Sequence, residues 1–149
     1  MLENVIFYSL EKTIKQYRQF AQNFLDQAGL SITIDQWLVL NVIQQFPELG
    51  QSEIAERVFK DQASIARIIN LLVKKGFLQQ TTSQEDRRRT IRELTPKGTQ
   101  LIKKIAPIVE QYRSTALRGI KEPDIVHLRQ TLDAIFSNCQ PTASGDTPE

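Results

Sequence analysis

Two short stretches of the sequence hold residue types that can read nucleic acid. In the first, Ala63, Arg67, Asn70 and Lys74 recur at spacings of four, three and four, so they share one face of a helix. Gln62, Ser64 and Ala66 flank the start of that stripe. A glutamine pairs with an adenine edge, an arginine with guanine, and an alanine packs on a thymine methyl; small side chains let a backbone approach the groove floor. The second stretch is Arg87-Arg88-Arg89, with Arg92 just behind it. Three consecutive guanidinium groups repel one another and gain little from pairing within the chain. Projected from a tip, one of them can enter a narrow minor groove, where the negative potential is strongest. Asp86 is a poor neighbour for a phosphate and is expected to brace an arginine or cap the turn. The plain alternatives are a solvated amphipathic face and a solubilising loop; neither accounts for the two stretches standing so close in sequence.

The elements that must position these residues are legible in the hydrophobic pattern. Asp61 is a strong N-cap for a helix from Gln62 to about Lys75, and Gly76 suits its C-terminal turn. Ile65, Ile68, Ile69 and Leu72 form the face that must be buried. Gly50 opens a shorter helix, Ser52 to Val58, and Phe59-Lys60-Asp61 joins the two at helix-turn-helix spacing. Phe77–Thr82 and Thr90–Thr95 are rich in aromatic and β-branched residues and predict a hairpin whose tip carries the arginines. Before these come a helix over the first thirty residues, stopped at Gly29, and a second from Asp35 to Phe46, capped by Thr33 or Ser31 and ended by Pro47. After them, Thr95-Pro96 starts a long helix in which Pro107 should introduce a kink, and Glu122-Pro123 starts another. The expected fold is therefore mainly α with a small β-hairpin wing. A winged helix-turn-helix over 31–99 is flanked by helices over 1–30 and 100–139 that are expected to dimerise, and residues 140–149, without apolar content, are expected to be a disordered tail. Phe7, Tyr8 and Phe20 give the first helix a second apolar side, which calls for a second packing partner.

Composition narrows the function. The 149 residues carry a net charge of only +2, but the charge is unevenly placed. From Gln51 to Lys104 twelve basic residues face six acidic ones, and the rest of the chain has seven basic and eleven acidic. A basic middle between acidic ends points to a local anionic partner. One cysteine, Cys139, and one histidine, His127, supply neither a disulfide nor a histidine-based metal site, and no set of nucleophile, base and acid can be assembled around them. No catalytic residue, metal or cofactor is expected. Cys139 has no basic residue beside it to lower its pKa, so a bland thiol is expected rather than a redox sensor. No apolar run reaches membrane-spanning length and no basic-then-apolar segment opens the chain, so a cytoplasmic protein is expected.

The run from Glu85 to Gly98 resembles the wing of the MarR family of bacterial transcriptional regulators, with Asp86, Arg88, Leu94, Thr95 and Gly98 at the matching places. Gln51–Arg57 resembles the helix before recognition, and Asp61–Gly76 the recognition helix; Gln36, Trp37, Val39 and Leu40 also fit. The resemblance implies a homodimer with interlocked terminal helices on a pseudo-palindromic site in double-stranded DNA, the helix from Gln62 in the major groove and Arg88 in the minor groove. It further implies a repressor released by a small aromatic or lipophilic effector, for which Tyr8 and Trp37 are the candidate pocket residues. Phe59 stands where the family often has glycine, and Asn70-Leu71 replaces a frequent Asp-Arg pair. The competing reading is a winged-helix protein-interaction module that never binds DNA.

Overall fold

In the computed structural model, residues 1–141 are described. After a short 3-10 turn at Leu2–Asn4 come α1 (Ile6–Gln27), α2 (Ile34–Gln45), α3 (Gln51–Arg57), α4 (Gln62–Lys74), β1 (Leu78–Thr82), β2 (Thr90–Leu94), α5 (Pro96–Ala116) and α6 (Glu122–Cys139). The chain divides into two compact units, one from Met1 to Ala116 and one from Leu117 onward. Of the expected tail, residues 142–149 lie outside the described residues.

The first unit has one continuous core. Ala21 and Leu25 of α1, Val39, Leu40 and Ile43 of α2, Ile54 of α3, Ile65, Ile69 and Leu72 of α4, Leu78 of β1, and Ile105 and Tyr112 of α5 are all buried in it. The α4 residues are three of the four expected from the periodicity; the fourth, Ile68, is half-buried. Tyr112 packs edge-on against Tyr17 and Phe24, with ring centres 6.0 and 6.2 Å apart, and burial pushes its phenol pKa up. The helix starts follow capping chemistry. The Thr33 hydroxyl accepts from the Gln36 amide while the Gln36 side chain accepts from the Thr33 amide, and the Glu53 carboxylate accepts from the Gly50 amide. In α6, Pro123 lies in the first turn and no residue is buried; Leu128, Leu132 and Phe136 are exposed.

The hairpin is antiparallel, with Leu78 opposite Leu94, Gln80 opposite Arg92 and Thr82 opposite Thr90. Each strand is one residue shorter than its sequence pattern, because Phe77 and Thr95 turn to another task. The Phe77 carbonyl accepts from the Thr95 amide, the Thr95 hydroxyl donates to the Gly76 carbonyl, and that hydroxyl also accepts from the Gly98 amide. A β-carbon on Gly98 would lie 2.2 Å from the Phe77 carbonyl oxygen, so only glycine permits this approach. Leu94-Thr95 and Gly98 thus fasten the start of α5 to the end of α4. α5 is continuous through Pro107.

Candidate nucleic-acid interface

Asp61 sets up the first turn of α4. Its carboxylate accepts from the Ser64 amide at 2.7 Å and from the Ser64 hydroxyl at 2.9 Å. These bonds, the amide first, hold the Asp61 carboxyl pKa below its ordinary value. The same hydroxyl accepts from Arg67 Nη2 at 3.2 Å. Asp61, Ser64 and Arg67 therefore form one chain along the exposed side of the helix, and the Ser64 hydroxyl is engaged at both ends. Gln62, Ala63, Arg67, Asn70 and Lys74 are exposed, whereas Ser64 and Ala66 are half-buried. The stripe read from spacing alone is the solvent-facing stripe of α4.

The turn that delivers α4 carries Phe59 at φ 59°, a left-handed conformation that side chains other than glycine rarely adopt. The Lys60 amide bonds the Ala55 carbonyl across it at 3.0 Å. Lys60 Nζ then lies 3.1 Å from Asp35, which also pairs with Arg18. One carboxylate at the start of α2 thus ties α1 to the helix-turn-helix.

At the wing tip Asp86 is a turn builder. Its carboxylate accepts from the Arg88 amide at 3.0 Å, its carbonyl accepts from the Arg89 amide at 3.0 Å, and its own amide donates to the Ser83 hydroxyl. An aspartate bonding its own backbone two residues on is a recurrent turn device, and it fixes the backbone from which Arg88 projects. Arg87, Arg88 and Arg89 are exposed, but they are not equivalent. Arg89 Nη2 donates to the Glu48 carbonyl at 2.9 Å and so straps the wing to the segment before α3.

Arg92 departs from the basic tip suggested by its place in the sequence. It is 9% exposed, and its Nε donates to Gln80 Oε1 at 3.1 Å. Burial pushes its guanidinium pKa below the ordinary value. Alternation explains the placement: Arg92 stands two residues before Leu94, and its partner Gln80 two after Leu78, so the pair shares the hairpin face that carries buried Leu78. That period-of-two signal was present in the sequence.

The two residues expected to line an effector pocket are apart in environment. Trp37 is half-buried against the core with the Arg113 guanidinium 5.8 Å from its ring centre; Tyr8 is 41% exposed. Neither lines either of the two cavities described. One, of about 240 Å³, lies beside α4 between Asp35, Lys60 and Arg67. The other, of about 380 Å³, lies between the α1–α2 connection, the end of α4 and the start of α5.

Residues 28–89 match the model of the MarR family. A protein of Thauera aromatica named as a transcriptional regulatory protein for the hcr operon is 34% identical over 103 residues, covering 69% of this chain and 61% of that relative. The chain thus spans under two thirds of that relative's length. The HTH-type transcriptional repressor IacR of Pseudomonas putida is 24% identical over 138 residues, 93% of this chain and 81% of IacR. Among solved structures, Bordetella bronchiseptica BpsR, described with the regulation of its DNA binding by 6-hydroxynicotinic acid, superposes with a TM-score of 0.77 at 20% identity, covering 88% of this chain and 98% of that one. The relatives are regulators of transcription, not enzymes.

Proposed function

Because this chain belongs to the MarR family of winged-helix proteins, we propose that it is a dimeric, sequence-specific DNA-binding repressor released by a small-molecule effector. The observation that carries the reading is the wing tip: Arg87 and Arg88 stand exposed on a backbone held by Asp86. Intrachain packing gives no reason to build such a tip, and a minor groove does. The capped first turns of α4, with Gln62, Ala63 and Arg67 exposed, suit a major groove. Repression is supported by the likeness to IacR, and effector release by the likeness to BpsR.

Dimerisation is supported by apolar side chains left in solvent. Ile6, Phe7 and Ile14 of α1 are more than half exposed, as are Leu128 and Phe136 of α6. Exposed apolar side chains grouped on a helix mark an interaction site, and a second copy of the chain would cover each of these faces.

The test is fluorescence anisotropy with the DNA flanking the gene. For about six phosphate contacts, affinity falls roughly a thousandfold between about 50 and 200 mM salt. Arg88→Ala weakens binding by at least about fivefold and leaves the dimer intact by light scattering, since a lost hydrogen-bonded charge contact costs about 1–3 kcal/mol. Wild-type affinity in that variant would remove the wing from the mechanism. Absence of any salt-dependent binding would leave a protein-interaction module.

A further inference from the structure

We propose that Ser64 does not read a base itself but aims Arg67 at one, through the hydrogen-bond chain from Asp61 to Ser64 to Arg67 on the exposed side of α4. The role rests on the DNA-binding reading above. A carboxylate only accepts and a guanidinium only donates, so the direction of both side-chain bonds is fixed. The Ser64 hydroxyl gives its one proton to Asp61 Oδ2 at 2.9 Å, a charge-assisted bond. Asp61 is itself held, because its Oδ1 accepts from the Ser64 amide at 2.7 Å. With its proton committed, the hydroxyl presents a lone pair to Arg67, whose Nη2 donates to it at 3.2 Å. Nothing else described competes for that guanidinium. Asp35 borders the same small cavity as Arg67, but its carboxylate is already shared by Arg18 and Lys60. Among the described residues, Ser64 is the one whose side chain bonds Arg67.

Arg67 stands on the exposed stripe of α4 between Ala63 and Asn70, whereas Ser64 is half-buried. Ser64 takes one of the five N–H donors of Arg67 and leaves four. Reading guanine uses two of them at once, in one plane, on O6 and N7. Such a contact fails when the guanidinium swings, while a contact to a phosphate tolerates the motion. Holding Arg67 in the free protein also removes part of the cost of immobilising a long side chain on binding. The Ser64 hydroxyl therefore serves discrimination at one base pair and leaves the attraction to the DNA backbone unchanged. Arg67 is the specificity-determining residue, and Ser64 is its positioning residue. The helix cap uses the Ser64 amide, so removal of the hydroxyl spares it.

The full chain is titrated by fluorescence anisotropy onto the DNA flanking the gene. Each guanine of the bound segment is replaced in turn by 7-deazaguanine, which lacks the N7 acceptor but keeps the base pair and the phosphates. Wild type is expected to lose at least about fivefold in affinity at one guanine, and Arg67→Ala to lose nothing further there. Ser64→Ala at least about halves the wild-type loss at that guanine. Its salt dependence, and its affinity for unrelated DNA, stay within about twofold of wild type, since no phosphate contact is removed. The Ser64→Ala/Arg67→Ala variant binds no more weakly than Arg67→Ala, because nothing is left to position. If Ser64→Ala melts below wild type, the same cycle decides: a loss caused by unfolding adds to that of Arg67→Ala, and additivity overturns the role. Undiminished guanine sensitivity in Ser64→Ala, an altered salt dependence in that variant, or no guanine that depends on Arg67 also overturns it. A wild-type chain that binds no DNA overturns the proposed function together with this role; DNA binding with any of the preceding results overturns the role of Ser64 alone.

Discussion

Phe59 is, among the described residues, the one other than glycine at positive φ, and it is 85% exposed. Its ring contributes little burial, while its β-carbon in the left-handed region costs about 1–2 kcal/mol. Glycine removes that cost and gives back about 0.5–1 kcal/mol through the freedom it adds to the unfolded chain. Phe59→Gly is therefore expected to raise stability by about 0.5 kcal/mol in urea denaturation; a loss instead would mean that the ring has a partner. Asp61 works in the opposite sense. Its pKa is depressed in the folded state by the Ser64 amide and hydroxyl, so its contribution is present above the ordinary carboxylate pKa and disappears as pH falls through the lowered folded value. Asp61→Ala is expected to melt below wild type at neutral pH, and the gap is expected to close as pH drops below about 4. A gap that held constant into acid would exclude the charged cap as its source.

The hairpin and its neighbours form a single fastening. Gly98 lets α5 approach the Phe77 carbonyl, Thr95 ties it to Gly76, Arg89 ties the wing to Glu48, and Asp86 closes the tip. The residues that mark this wing as a family motif are thus mostly structural, and among the described residues the side chains of Arg87 and Arg88 stand exposed, as the proposed contact with DNA requires. This division makes a prediction that charge alone would reverse. Asp86→Ala removes a negative group from the tip proposed to meet DNA, yet it also frees the Arg88 amide. If position matters more than net charge, affinity falls by about fivefold, the worth of one hydrogen bond of about 1 kcal/mol. Tighter binding by this variant would show that the tip acts only through its total charge.

For the whole molecule, the unit from Met1 to Ala116 buries one core and still leaves Ile6, Phe7 and Ile14 in solvent, and α6 leaves Leu128, Leu132 and Phe136 there. Burying each such side chain is worth about 1.5–3 kcal/mol, so a chain that paired through them would have its stability linked to its own concentration. The melting temperature is expected to rise by roughly 2 °C for each tenfold increase in protein. A melting temperature independent of concentration, with a monomer by light scattering, would remove the dimer. No described helix is long and apolar enough to cross a membrane.

Periodicity, caps and turn residues determined the elements, because these depend on neighbours a few positions away: Asp61 before α4, Thr33 before α2, Gly29 and Gly76 after their helices. The exposed stripe of α4 was legible for the same reason. What tertiary structure decided was which charged residues are free. Arg89 and Arg92 look identical to Arg87 and Arg88 along the chain, but one reaches a carbonyl 41 positions away and the other is turned under the hairpin. Lys75 and Lys97 likewise come to line one cavity only when the end of α4, the start of α5 and the α1–α2 connection meet. Such placements depend on contacts between distant segments, and local pattern carries no record of them.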